Sequence, residues 1–354
     1  MMQELGFDGE ITNLISPEDL DGHVLGRVII EHKERYVVQT DEGTFSAEIT
    51  GNLRFTAEDR KDFPAVGDWV KLIMMDEETA IILEVFPRTS VIERKAVSKQ
   101  AQTQLIATNI DYAFIVQAVG HDFNLKRIER YLAICHSSNI TPIILLSKID
   151  LVDDSEVDST LKQIKVRVSN VEIFAVSSES GTGFEKLELL LKKYKTYCFL
   201  GSSGVGKSTI VNRLKGENHL KTNSVSSSTN KGKHTTTHRE LIVLPNQSIV
   251  IDTPGMREVG MSDNKEGIEI TYSIIESLAT NCKFNDCTHT EEFGCAVLKA
   301  LEAEEFSQDE YDNYQKLLRE QAHYSRTVAE KRKKGKELTK LYRSVQEQRR
   351  KDKY

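Results

Sequence analysis

The run Gly201, Ser202, Ser203, Gly204, Val205, Gly206, Lys207, Ser208 and Thr209 holds the residue types that bind a phosphate chain. Glycines at this spacing let backbone N–H groups converge on phosphate oxygens, and a helix opening after Gly206 adds its N-terminal dipole. Lys207 is the expected cation for the β- and γ-phosphates, and Ser208 an expected Mg²⁺ ligand. Asp252 ends an apolar run and should reach the same ion, directly or through water, while the N–H of Gly255 suits the γ-phosphate. Between these motifs the polar stretch 222–234 closes on Thr235, Thr236 and Thr237. That is the composition of a loop ordered by γ-phosphate and Mg²⁺. Thr236 is the expected ligand, with Thr235 and Thr237 as alternatives. Met256 stands where a water-positioning Gln would, and a thioether cannot orient water; His234 is the candidate for that role.

Upstream of all these lies Ser147-Lys148-Ile149-Asp150, after a buried apolar run. A carboxylate at Asp150 can accept two hydrogen bonds from guanine N1 and N2, a donor pair adenine lacks, and the Lys148 stem can lie over the base. Ser147 stands where Asn is usual, and its hydroxyl can keep one of the amide's contacts. Ser177 and Ser178, within the run 175–180, resemble the loop that closes over guanine O6. The base-reading segment therefore precedes the phosphate loop, the reverse of the usual order.

A second constellation is Cys282, Cys287, His289 and Cys295, three thiols and an imidazole within fourteen residues. Soft sulfur and nitrogen ligands select Zn²⁺, and four protein ligands leave no position open for catalysis, so the expected site is structural. Cys135 and Cys198 sit in apolar patterns and read as core. The arrangement is not a secreted disulfide framework.

The elements that must position these residues follow from periodicity. Five β-rich segments between Asp21 and Val85 fit a small OB-fold barrel. Continuous apolar runs at 111–118, 141–147, 171–176, 197–200 and 247–252 read as parallel strands buried on both faces, alternating with helices at 125–138, 183–194 and 209–214. From Glu266 onward the chain reads as helices around a cysteine-rich loop. The expected domains are an OB-fold barrel with an N-terminal extension over 1–96, a circularly permuted P-loop α/β domain over 97–265, and a helical zinc-binding domain with a basic tail over 266–354. The net charge is −7, but the stretch from Arg326 to Tyr354 alone carries +8, leaving −15 on the rest. A basic tail on an acidic body suits local contact with a polyanion, or else a solvated charged helix. Without a secretory signal or a span of about 20 apolar residues, a cytoplasmic address is expected.

A small barrel, permuted nucleotide motifs and a Cys-x4-Cys-x-His-x5-Cys cluster together resemble the bacterial RsgA (YjeQ/YloQ) family of circularly permuted GTPases, from about Gly22 to about Arg319. Further matches are the segment from Pro87 to Lys95 at the barrel exit and His234 to Thr237. The resemblance implies GTP hydrolysis stimulated by rRNA during late maturation of the small ribosomal subunit. Expected partners are GTP and GDP, the 30S subunit and its 16S rRNA, with no membrane partner and a monomeric chain; expected cofactors are one structural Zn²⁺ and Mg²⁺ with GTP. Ser147 departs from the family's Asn. Two other readings stay open: a permuted GTPase in another ribosome-assembly step, and an RNA-binding assembly factor with a weak nucleotide site.

Overall fold

The computed structural model describes residues 2–32, 35–57, 59–95, 103–216, 239–252 and 264–323. The chain divides into two compact units, Met1–Gly260 and Met261–Tyr354.

The first unit opens with the barrel: β1 (Val24–His32), β2 (Arg35–Gln39), β3 (Thr44–Ile49), β4 (Trp69–Met74) and β5 (Thr79–Val85). The strands run in the order β1-β2-β3-β5-β4, and β4 pairs back onto β1 to close the ring. Only β3 and β5 pair in parallel. Strict alternation makes this possible: in β3, Phe45, Ala47 and Ile49 turn inward while Thr44, Ser46 and Glu48 face water. They meet Val28, Val38, Val70, Leu72 and Ile82 in one apolar core.

The barrel exit is locked electrostatically. Arg88 meets the buried Asp68 in a two-pronged ion pair, Nε to Oδ1 at 2.8 Å and Nη2 to Oδ2 at 2.7 Å. Two more Arg88 donors reach the carbonyls of Lys61 and Phe63. The N-terminal extension also packs here, with Leu5, Ile11 and Ile15 against Trp69 and Phe86. Arg27, fully buried beneath it, donates to the carbonyls of Leu5, Gly67 and Asn109 and to Thr196 Oγ1. Burial pulls the Arg27 guanidinium down to about 10, against the raising influence of Asp111, Asp68 and Asp8.

A hairpin of β6 (Val91–Lys95) and β7 (Thr103–Thr108) leads into the α/β half. There β8 (Tyr112–Ala118), β9 (Thr141–Ser147), β10 (Glu172–Val176), β11 (Thr196–Leu200), β12 (Arg239–Val243) and β13 (Ile249–Asp252) form the order β10-β9-β8-β11-β13-β12. All pairings are parallel except β12 with β13. Phe114, Val116, Leu145 and Phe199 share one core with Ile210, Val211 and Leu214 of helix Lys207–Leu214. Helix Leu125–Ser137 packs on β8 and β9. Strand β12 was not legible in the sequence. Its outer edge pairs antiparallel with β1, Ile30 opposite Glu240 and Glu31 opposite Arg239, so barrel and α/β sheet form one eleven-stranded sheet.

In the second unit, helices Lys265–Thr271, Ser273–Ala279 and Ala296–Glu302 and a helix over 308–323 surround the cysteine-rich loop. Ile268, Ile275, Val297 and Leu317 are fully buried. The Tyr272 and Tyr314 rings meet in a tilted arrangement, centroids 5.3 Å apart and planes inclined by 59°, and Asn313 Nδ2 donates to the Tyr272 hydroxyl.

Candidate nucleotide site and candidate metal centre

Neighbouring strands β8 and β11 send their connections in opposite directions, β8 to β9 on one side and β11 to β12, beyond β13, on the other. In an open parallel sheet the crevice outside the carboxyl ends of such a pair is where ligands bind. The parallel strands bring to that single edge Ser147–Asp150 after β9, Ser177 and Ser178 after β10, the loop 201–206 after β11, and Asp252 at the end of β13.

Gly201 has φ +148°, and a Cβ there would lie 2.4 Å from the Val116 carbonyl oxygen of β8. Only glycine lets the loop leave β11 so close to its neighbour. Gly204 and Gly206 take φ +82° and +95° with open space around them, so conformation alone requires glycine there. Gly206 caps helix Lys207–Leu214 and brings no side chain to its first turn, which keeps the amides of that turn available to an anion. Lys207 Nζ donates to the carbonyls of Gly201 at 2.7 Å and Ser202 at 2.5 Å. Ser208 and Asp252 are half-buried, on elements that follow or end the adjacent strands β11 and β13. Thr209 is exposed.

At the base-reading end, Ser147 is 2% exposed, and its Oγ lies 2.7 Å from the Val205 carbonyl oxygen and 3.1 Å from that of Gln117. A single hydroxyl thus ties the end of β9 to the phosphate loop. Lys148 adopts φ +60°, turning the chain so that Asp150 follows on the exposed rim. The buried Ser177 hydroxyl donates to Asp150 Oδ1, and its oxygen accepts from Ser180 N–H at 3.1 Å. Arg213, from the helix after the phosphate loop, donates to the Ser178 carbonyl at 2.7 Å and stacks over Phe184 at 4.7 Å.

His234, Thr235, Thr236, Thr237, Gly255, Met256 and the basic tail lie outside the described residues. Two contributors have no signature in the sequence. Arg213 braces the base loop, and Arg127, from the helix after β8, donates to Ser202 Oγ at 2.6 Å. Both partnerships join segments far apart in the chain, so no local pattern announces them.

The second unit gathers Cys282, Cys287, His289 and Cys295 so that their ligand atoms all lie within 4.8 Å of one another. Cys282 Sγ is 3.8 Å from Cys295 Sγ, far beyond the disulfide bond length of about 2.05 Å. His289 Nδ1 lies 3.5 Å from each of these sulfurs. Ala296 N–H points at Cys282 Sγ and Leu298 N–H at Cys295 Sγ, each at 3.4 Å. His289 takes φ +60°, and its carbonyl accepts from the Tyr311 hydroxyl at 2.5 Å, so the long helix fixes the loop at its centre. Glu292 gathers the N–H groups of Thr288, Thr290 and Glu291, and its hydrogen bonds from Thr288 hold the carboxyl well below its ordinary range. This cluster can hold a metal ion.

Comparison with known proteins gives concordant results. The RsgA GTPase family profile matches residues 85–262. A protein of Lactiplantibacillus plantarum named small ribosomal subunit biogenesis GTPase RsgA 2 is 45% identical over 305 residues, 86% of this chain and 85% of that one. A Vibrio parahaemolyticus protein of the same name is 38% identical over 99% of this chain and 94% of its own length. Among solved structures, YjeQ from Thermotoga maritima superposes with a TM-score of 0.63 at 23% identity, covering 85% of this chain and 99% of that one. YloQ, described as a circularly permuted GTPase, gives 0.61 at 24% identity over 85% of this chain and 96% of its own.

Proposed function

The chain belongs to the RsgA GTPase family and is a GTP-hydrolysing enzyme, and from that premise we propose that it works on the small ribosomal subunit, in the cytoplasm, during late maturation. The observation that carries this reading is the agreement of two independent facts. Motifs permuted in sequence converge on one sheet edge, and relatives at 36–45% identity are named for small-subunit biogenesis.

In this reading the amides of Ser203–Thr209 and the Lys207 ammonium hold the β- and γ-phosphates. Lys207 exchanges the carbonyls of Gly201 and Ser202 for phosphate oxygens. Ser208, Thr236 and Asp252 hold Mg²⁺. That ion, when bound, neutralises charge on the phosphate oxygens. Asp150 accepts from guanine N1 and N2, Lys148 covers the base, and the Ser177–Ser178 turn closes over O6. Asp150 needs no reorganisation for this, since the Ser177 hydroxyl already orients its carboxylate. His234 orients the attacking water, a task Met256 cannot perform. Gly255 donates to the γ-phosphate.

Zinc is the ion that fits the second unit. A tetrahedral site with Zn–S of about 2.3 Å has S···S edges of about 3.8 Å, and a nitrogen ligand gives S···N edges of about 3.5 Å. Cys282, Cys295 and His289 stand at 3.8 Å and 3.5 Å, and Cys287 completes a set whose ligand atoms all lie within 4.8 Å of one another. The four residues form a closed, structural centre that stiffens a surface for 16S rRNA, aided by the basic tail.

The decisive assay is GTP and ATP hydrolysis with and without purified ribosomal subunits. The expected result is slow basal turnover, specific for GTP and raised many-fold by small but not large subunits. Stimulation by large subunits alone, or none by either, would overturn the ribosomal assignment.

A further inference from the structure

The phosphate loop is gripped at one residue from two sides. Lys207 Nζ takes the Ser202 carbonyl at 2.5 Å, and Arg127 Nη1 takes the Ser202 hydroxyl at 2.6 Å. Arg127 stands in the first turn of helix Leu125–Ser137, where the Asn124 side chain caps its N–H at 3.1 Å. That helix is held from behind: Ile128 and Leu132 are buried, and Glu129 forms a 2.6 Å ion pair with Arg167, the side chains 3% and 8% exposed. Among the described residues, Arg127's other side-chain partners are distant, the Asp122 carbonyl at 3.4 Å and the Asp122 carboxylate at 4.0 Å, on a side chain 58% exposed. A guanidinium on a fixed helix therefore makes its shortest bond to a neutral hydroxyl of the loop, with a carboxylate nearby that it does not engage closely.

The two grips have different fates when nucleotide arrives. Lys207 must release the Ser202 carbonyl to reach phosphate oxygens. Arg127 holds an oxygen that the phosphates do not need, so its grip persists while the lysine moves. We propose that Arg127 is a positioning residue for the phosphate loop, acting through Ser202 Oγ to keep the loop's amides convergent as Lys207 changes partners. This rests on the reading of the loop as the guanine-nucleotide site.

A double-mutant cycle tests it in the full chain, with titration of fluorescent GDP and a GTP analogue plus steady-state hydrolysis. Loss of one charged hydrogen bond from a preorganised site corresponds to about tenfold. Arg127→Ala and Ser202→Ala should each weaken binding of both nucleotides by about that factor, and the double variant should be no worse than either alone. Arg127→Lys should recover part of the loss, and the nucleotide-free melting temperature should stay at the parental value, which a merely structural role would not allow. Parental affinity in Arg127→Ala, or additive losses in the double variant, would overturn the proposal. So would loss of GTP-analogue binding alone in Arg127→Ala with no effect of Ser202→Ala, because the guanidinium would then be touching the γ-phosphate itself. If Arg127→Ala fails to fold, Arg127→Lys and Ser202→Ala complete the same cycle. Failure of the parent to bind GDP would instead remove the underlying site assignment.

Discussion

Ser147 concentrates the residue-scale question, because it replaces the amide expected at the head of the base-reading motif. An amide in that position would donate from nitrogen and accept at oxygen. The hydroxyl keeps the donation, to the Val205 carbonyl at 2.7 Å, and so preserves the tie between β9 and the phosphate loop. Removing it leaves a buried carbonyl short of a donor, a cost of about 1 kcal/mol or slightly more. Ser147→Ala should therefore weaken GDP and ADP binding equally, by about five- to tenfold, without altering base preference. Asp150→Asn should do the opposite: guanine preference disappears and xanthosine diphosphate gains. Competitive titration with the three diphosphates separates these outcomes. A change of base preference in Ser147→Ala would show that the hydroxyl meets the base and is no brace.

At the scale of elements, the metal loop depends on its ligands because it has little core of its own. Between Thr280 and Cys295 only His289 and Cys295 are buried, and both belong to the cluster. The helices around it supply Ile275, Val297 and Leu317, while the loop itself is held by its four ligand atoms, the Glu292 network and hydrogen bonds from Tyr311 to the His289 carbonyl and from Gln315 to the Thr288 carbonyl. Metal binding is then folding free energy for this segment. Cys295→Ser, or exhaustive chelation, should abolish stoichiometric zinc and open the 280–295 loop to protease. Binding of GDP by the first unit should persist. Retention of one zinc per chain in Cys295→Ser, with protease resistance intact, would show that the loop is held another way. The barrel exit illustrates the contrasting case: Arg88 and Asp68 need no ion, since paired charges and carbonyls satisfy each other.

For the whole molecule, the seam between β1 and β12 is the feature with the widest reach. Strand β12 begins directly after the segment that carries His234 to Thr237, and it pairs with β13, which ends at Asp252. Its other edge is stitched to the barrel by backbone pairing and by Arg239, whose Nη1 reaches Glu31 Oε2 at 2.9 Å and the Leu105 carbonyl at 2.8 Å. In the proposed reading, the segment that carries Gly255 runs on through the chain into the second unit, while the stretch 222–237 runs on into β12, whose pairing with β1 ties it to the barrel. Amide exchange at Ile30 and Glu31 should accordingly differ between GDP and GTP-analogue states. Arg239→Ala should reduce that difference and lower stability by about 1–2 kcal/mol in urea titration. Identical exchange in both nucleotide states would mean that the seam only glues the two halves.

Whatever rests on local pattern could be read from the order of the residues. Strand alternation marked the barrel, buried apolar runs marked the parallel sheet, glycine spacing marked the phosphate loop, and thiol spacing marked the metal cluster. Each of these is encoded within about ten to fifteen consecutive residues, where backbone geometry fixes which side chains share a face. Partnerships between distant segments emerge only once the chain is folded. Folding sets Arg127 on Ser202, Arg213 on Ser178, the Ser147 hydroxyl on the loop carbonyl, and β12 against β1. Such contacts pair residues from 35 to more than 200 positions apart, and only the packing of the strands brings them within hydrogen-bond reach. A short edge strand like β12 shows why. Its five residues carry too little periodicity to declare themselves, and the two edges waiting on either side of it make the strand.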